Sequence, residues 1–442
     1  MNTDDGRSIV ARKRDGAELS SDEMRTMVGG YMRGDVSDAL LAALLMACAI
    51  RGMSLEETVA LTRAMVESGT TLRFEAVAAP LVDKHSTGGV ADGVTLLFAP
   101  IAAAVGLGVA KLAGRGLGHT GGTIDKLESI PGLHTDLTPS EIERQVRDVG
   151  CAVAAQSADL VPADGAIYAL RDATATVPSQ PLIAASVMSK KLAVQSDLIL
   201  LDVKAGSGAF MQTAEAATGL ARLCVEIANL SDRRSGAAVT DMSQPLGRCI
   251  GNALEVAEAV GVMRGETRGR LRDLALWFVA RAAATLLGTT IEEARESAER
   301  SLDSGSALER FGRMVEAQGG DARLVDLPRK VLPRAPEVRP LVADRSGHLA
   351  AVDAAELGRA CMELGAGRSK GSDRVDPSVG IVMRPEVGER IEAGSSIGEI
   401  HARNEEEAAR AATRALRALD VVEEPVTPPP LVLEWLGEGG SR

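Results

Sequence analysis

The stretch Pro80-Leu81-Val82-Asp83-Lys84-His85-Ser86-Thr87-Gly88-Gly89 runs from an apolar, strand-like start into a glycine turn that carries a lysine, a histidine and two hydroxyls. A second stretch repeats the device. Val109-Ala110-Lys111-Leu112-Ala113 leads into Gly114-Arg115-Gly116-Leu117-Gly118-His119-Thr120-Gly121-Gly122-Thr123. Short apolar runs that end in glycine turns and alternate with helices read as βα units of a central, mainly parallel sheet. Both loops then belong at the carboxyl edge of one sheet, where open α/β sheets bind ligands.

Bare backbone amides, hydroxyls and cations brought together suit a small dianion such as phosphate. Lys84, Ser86, Thr95 and Thr123 supply that chemistry. Neither loop has the spacing of a nucleoside triphosphatase P-loop, and Gly114 to His119 lacks the final glycine of a dinucleotide fingerprint. His85, between Lys84 and Ser86, is placed to donate to a ligand oxygen or leaving group. A neighbouring cation lowers its pKa and a bound anion raises it. His119 reads as a backbone-bonding residue, and His134, His348 and His401 as structural. Tyr168 and Arg171, three apart, and Ser186 and Lys190, four apart, form pairs that each share a helix face. Charge spacing alone favours a solvated face for both pairs.

At 442 residues the chain exceeds what one hydrophobic core serves, so two or three lobes are expected. Helical patterns cover 20–34 and 36–51, and a third helix opens at Ser54 with Glu57 in capping-box spacing. Helical character returns over 167–176 and 184–194, which makes the helical lobe discontinuous. The expected division is a small helical lobe from 1–70 and 161–195, a larger α/β lobe from 71–160 and 196–335, and a C-terminal α+β module over 336–442. Prolines 328, 333, 336 and 340 mark the connector. The rhythm of 380–394 is that of a lipoyl carrier without its lysine hairpin, hence a structural module.

Composition narrows the function. A net charge of -12 argues against nucleic acid as a partner, because phosphate backbones need a basic face. Aromatic residues at 2% disfavour an all-β sandwich. Five cysteines without C-x-x-C spacing indicate neither a disulfide framework nor structural zinc, and with the polar amino terminus they point to the cytoplasm. The uncharged run from Gly93 to Ala110 contains Pro100 and Thr95 and reads as a buried helix turning into a strand, so no membrane association is expected.

These residues together closely resemble the thymidine and pyrimidine-nucleoside phosphorylase family. The resemblance extends from the first helices through the C-terminal module. It is densest at Asp83 to Val90, Gly114 to Glu128, Tyr168 to Asp172 and Asp202 to Met211. It implies a homodimeric pentosyltransferase that phosphorolyses pyrimidine nucleosides, thymidine foremost, to free base and pentose 1-phosphate. By the same resemblance, phosphate would be held by Lys84, Ser86, Thr95, Thr123 and the backbone near Lys111 to Ala113. The pyrimidine would be read by His85, Tyr168, Arg171, Ser186 and Lys190. Lys84, His85, Arg171 and Lys190 would be the catalytic set, with His85 the candidate proton donor. No cofactor is required, phosphate being a co-substrate. A structural monovalent cation, K+, would touch carbonyls of Ala91, Gly93, Leu246 and Cys249 and the carboxylate of Glu258. Two departures stand out: Ala113 replaces the usual serine before Gly114, and Ala91-Asp92 alters the usual glycine-aspartate pattern. An anthranilate-type phosphoribosyltransferase and a catalytically weakened nucleoside-binding paralogue are the alternatives.

Overall fold

The computed structural model describes residues 3–116, 118, 121–368 and 373–437. Four helices open the chain: Thr3–Arg14, Ser21–Met32, Asp38–Arg51 and Leu55–Val66. The last begins with the expected capping box, in which Glu57 N donates to Ser54 Oγ at 3.1 Å and Ser54 N to Glu57 Oε2 at 2.9 Å. Glu57 is also the buried partner of Lys13 Nζ at 2.6 Å. That ion pair fastens the first helix, whose polar sequence had given no apolar stripe to read. Helices Pro162–Ala173 and Gln180–Leu192 pack against Leu55–Val66, so two separate stretches build this lobe.

The α/β lobe carries β1 (Val82–Ser86), β2 (Val109–Ala113), β3 (Cys151–Ala155), β4 (Leu198–Ala205) and β5 (Ser235–Asp241). Strands β1, β4 and β5 form a parallel ladder, and β2 and β3 form a second. The expectation that both glycine loops leave one sheet is thus corrected. Beside these ladders, a parallel bridge joins Leu81 to Gly108, supported by hydrogen bonds Val82 N to Gly108 O and Gly108 N to Pro80 O, each 2.9 Å. Further along the strands a side chain makes the connection: Lys111 Nζ lies 3.1 Å from Asp83 Oδ1. β4 is buried along its whole length, as a central parallel strand should be, yet contains Asp202 and Lys204. Helix Val94–Ala104 packs with Arg270–Leu287 and Ser306–Ala317 to form the largest core. The uncharged run is therefore a buried helix followed by β2, and no helix among the described residues is long and apolar enough to cross a membrane.

The C-terminal module has two small antiparallel sheets and helices Ala354–Leu364 and Glu405–Arg417. In chain order its strands are β6 (Cys249–Ile250), lent by the α/β lobe, β7 (Glu337–Val342), β8 (Gly347–Val352), β9 (Gly380–Met383), β10 (Arg390–Ile391), β11 (Ser396–Ala402) and β12 (Leu419–Val422). One sheet runs β6-β9-β11-β7 and the other β10-β8-β12. After them β13 (Val432–Leu436) leaves the module and pairs antiparallel with β5, covering the edge of the main sheet. Trp435 lies over Gly236, where a Cβ would clash with its ring, and packs edge-on against Trp277 at 5.2 Å. Arg281 stacks 3.7 Å over Trp277. Both tryptophans of the chain thus serve to seat this strand. Trp435→Ala should cost about 2–4 kcal/mol of unfolding free energy in urea titrations; an unchanged midpoint would mean that β13 does not brace the sheet.

Candidate active site

The two ladders and the helical lobe enclose a cleft of about 380 Å³. Period-two alternation along β1 divides its charged residues between two sides. Asp83 and His85 face Lys111 and the helical lobe, while Lys84 and Ser86 face β4 and the start of helix Val94–Ala104. His85, Ser86, Thr95, Lys111, Ala113 and Thr123 line the cleft from the α/β side. Tyr168, Arg171, Ser186 and Lys190 line it from helices Pro162–Ala173 and Gln180–Leu192. Two residue groups separate in sequence, 85–123 and 168–190, thus face one space.

Lys84 stands apart from that wall. It is 1% exposed, its Nζ lies 2.6 Å from Asp202 Oδ2, and it approaches the Phe278 ring at 5.2 Å. Lys204 Nζ shares the same carboxylate oxygen at 2.8 Å, and Thr240 Oγ1 donates to Oδ1 at 2.6 Å. Ser86 Oγ donates to Asp92 Oδ2 at 2.5 Å and accepts from Gly88 N at 3.1 Å. Burial would raise the Asp92 carboxyl, but Lys204, Lys84 and Lys126 outweigh it and hold it below the usual carboxylate range. The hydroxyl and lysine anticipated for an anion therefore rest on two buried carboxylates.

On the other side Asp83 bridges two lysines, Lys111 at 3.1 Å and Lys191 at 2.7 Å. Burial would raise the Asp83 carboxyl; the two lysines override it and keep it ionised. The cost appears at Lys111, which burial and the competing charge of Lys191 bring down to about 7 despite Asp83. His85 is pushed well below its ordinary value by burial and then by Lys191 and Lys111. Its ring is neutral at neutral pH.

The helical-lobe pairs are not a solvated face. Lys190 Nζ donates to Asp164 Oδ2 and to Ser186 Oγ at 3.0 Å, and burial lowers its pKa. Arg171, 2% exposed, is fixed by Leu182 O at 3.0 Å and Val177 O at 2.8 Å and lies 5.9 Å from the Tyr168 ring centroid. Sequence reading passed over Asp83, Asp92, Asp164, Lys191, Asp202 and Lys204. A signal existed for the last two, since charges inside the apolar run Leu198 to Val203 and its continuation demand buried partners.

The second glycine loop is shaped by close approach. A Cβ on Gly122 would meet the backbone of Arg115 and Gly116, and Gly116 N donates to Asp125 Oδ2 at 2.7 Å. Arg368 of the C-terminal module reaches Asp125 Oδ1 at 2.6 Å, and its carbonyl accepts from Gly118 N at 2.9 Å. His119, with its expected backbone role, lies outside the described residues. His348 and His401 belong to the C-terminal module.

Near the proposed cation position, Glu258 receives Arg248 N at 2.7 Å and Cys249 N at 3.0 Å. Burial pushes its pKa up to about 7. Its Oε2 and the Ala91 carbonyl converge on the spot that a Cβ of Gly247 would fill. Ala91 itself holds φ 56°, the left-handed region that favours glycine, so the departure from the family pattern is accommodated with backbone strain.

Residues 78–308 match the sequence profile described as the glycosyl transferase family, a/b domain, and 7–69 match its helical bundle domain. Residues 348–421 match the pyrimidine nucleoside phosphorylase C-terminal domain. The pyrimidine-nucleoside phosphorylase of Geobacillus stearothermophilus is 46% identical over 404 residues, 90% of this chain and 92% of its own. The chain belongs to the thymidine and pyrimidine-nucleoside phosphorylase family. The thymidine phosphorylase of Rhizobium meliloti strain 1021 is 43% identical over 433 residues, 98% of each chain. The anthranilate phosphoribosyltransferase of Thermus thermophilus superposes with a TM-score of 0.58 at 21% identity, over 70% of this chain and 99% of its own. At that identity the family member shares its fold and nothing finer. Because Gly122 has no space for a side chain, Gly122→Ala should displace the loop, raise the phosphate KM about tenfold or more and leave nucleoside binding nearly intact. Steady-state kinetics with each substrate varied would check this, and an unchanged phosphate KM would contradict it.

Proposed function

We propose that this protein catalyses reversible phosphorolysis of pyrimidine nucleosides, thymidine foremost, giving free base and pentose 1-phosphate. The observation that carries the reading is the single cleft with hydroxyls and cations on the α/β wall and Arg171, Ser186 and Lys190 opposite them. Phosphate on the first wall, held by Ser86, Thr95, Lys111, Thr123 and the Ala113 backbone with Lys84 behind them, attacks the anomeric carbon as the C–N bond lengthens. Negative charge on the departing base falls to Arg171 and Lys190, with His85 giving a hydrogen bond from its neutral ring. The substrates start on different lobes, so closure of the cleft belongs to the cycle. The family's named relatives support both thymidine and broader pyrimidine use.

The deciding assay is phosphate-dependent release of base from thymidine, uridine and deoxyuridine against a no-phosphate control. Base and pentose 1-phosphate from thymidine alone mark a thymidine phosphorylase, and comparable turnover of uridine marks a pyrimidine-nucleoside phosphorylase. Nucleoside binding without turnover would favour the weakened paralogue. No turnover of nucleosides, with magnesium-dependent release of pyrophosphate when 5-phosphoribosyl diphosphate and an aromatic amine are supplied instead, would favour the phosphoribosyltransferase. In the same assay Ala113→Ser should lower the phosphate KM by about twofold to tenfold, the worth of one added hydrogen bond of about 0.5–1.5 kcal/mol. An unchanged or higher KM would show that Ala113 does not face phosphate.

By the resemblance a K+ ion would touch oxygens of Glu258 and Ala91, holding the segment around Gly247 and taking no part in the chemistry. Carbonyls of Gly93, Leu246 and Cys249 complete the proposed set. Glu258 has its pKa raised in the folded state, so its stabilising contribution is full below about pH 4.5 and is lost as pH rises through about 7. A cation replaces the proton there. K+ should therefore raise Tm more at pH 8 than at pH 6, and Glu258→Gln should remove the difference. Equal shifts at both pH values would reject this site. Homodimer formation rests on the resemblance and is supported by Met46 and Ile50, one turn apart and exposed on helix Asp38–Arg51. Five unpaired cysteines, four of them buried, support the reading as a cytoplasmic enzyme.

A further inference from the structure

Among the described residues, Asp83 is the one carboxylate bonded to both Lys111 and Lys191, and all three are at least nine-tenths buried. Lys111 comes from β2, Asp83 from β1 and Lys191 from helix Gln180–Leu192, so the trio ties the α/β wall of the cleft to the helical lobe. Both lysines also line the cleft. With both protonated, one negative charge meets two positive ones, and the surplus lies at the phosphate end of the site. We propose that Asp83 and Lys191 are positioning residues that together set the charge carried by Lys111, so that phosphate is received by a lysine whose protonation its binding completes. This rests on the phosphorolysis reading above.

The charges around the trio favour that division of labour. Lys111 is faced by Asp83, Lys191 and Lys84. Asp83 is also approached by His85 and Arg233. Lys190 stands next to Lys191 but has Asp164 as its own partner. Lys111 therefore shares its counter-ion, whereas Lys190 does not. Burial and this sharing hold Lys111 at about 7, so in the free protein it is partly deprotonated near neutrality. A phosphate dianion within reach supplies the missing negative charge and draws a proton onto the amine. Lys191 governs the process by competing for Asp83, and Asp83 by how much of itself it gives to Lys111.

The test is the alkaline limb of kcat/KM for phosphate. Asp83→Asn should move it to lower pH by about one unit or more, since a close opposite charge is removed. Lys191→Met should move it to higher pH by a similar amount, and Lys191→Arg should leave it near the wild-type position. Opposite shifts cannot come from loosened packing, which would lower kcat or Tm and leave the limb in place. Limbs that stay put, or move the same way in both variants, overturn the proposal. Should Asp83→Asn fail to fold, calorimetry decides. Inorganic phosphate titrated into wild type and Lys191→Met at about pH 7.5, in two buffers of different ionisation enthalpy, should show greater proton uptake by wild type. Equal uptake overturns the proposal. A wild type inactive on every nucleoside counts against the phosphorolysis reading, while proton uptake still judges the role of Lys111. An active wild type whose limb ignores both substitutions counts against this inference alone.

Discussion

Burying lysines in a dry interior costs several kcal/mol each unless carboxylates and hydrogen bonds compensate, and this constraint organises the molecule. β1 is where it acts. One side of the strand sends Lys84 to Asp202, which also holds Lys204. The other side gives Asp83 to Lys111 and Lys191. In the Asp83 group a single carboxylate serves two lysines, whereas in the other group Lys204 also approaches Asp92, so only the Asp83 group carries a surplus of positive charge. That surplus and the glycine loops line the same cleft.

The same constraint explains why three parts of the chain are needed for one cleft. The α/β lobe provides hydroxyls and loop amides but few groups that read a planar base. The helical lobe provides Arg171 and Lys190 already fixed by carbonyls and by Asp164, so little ordering remains to be done on binding. The described residues of the C-terminal module do not line the cleft, yet Arg368 secures Asp125 and through it the turn at Gly116. Strands β6 and β13 cross between module and lobe in opposite senses, which makes the module a brace for the second loop and the sheet edge rather than an appendage.

Much of this was legible from sequence where local physics decides. Capping at Ser54, the buried helix after Gly93, β2 before the second loop and β4 before Gly206 all follow from patterns of a few residues. What escaped depends on partners distant in the chain. Helix Thr3–Arg14 is polar and is fastened by Lys13 to Glu57, 44 positions away. β13 follows a proline run and gains its place only by pairing with β5. The division of the sheet between β1 and β2 also has no local mark: their backbone pairing is limited to the bridge at Leu81 and Gly108. At the site, residue types that bind anions were readable, and Asp202 was marked by its place in an apolar run, whereas the pairings of Asp83, Asp92 and Asp164 are carried by three-dimensional adjacency.

That adjacency also alters the chemistry expected of His85. A histidine in a polar loop suggests a proton donor tuned near neutrality, but burial, and after it the charges of Lys191 and Lys111, keep this ring neutral. Protonating it would add a cation to a region already rich in them, before any negative charge has developed on the base. Arg171 and Lys190 are instead held in place beforehand, Arg171 by the carbonyls of Leu182 and Val177 and Lys190 by Asp164. In the proposed reaction, charge on a departing base would fall to these preorganised groups, with His85 contributing an N–H, an arrangement whose electrostatic cost is met in folding.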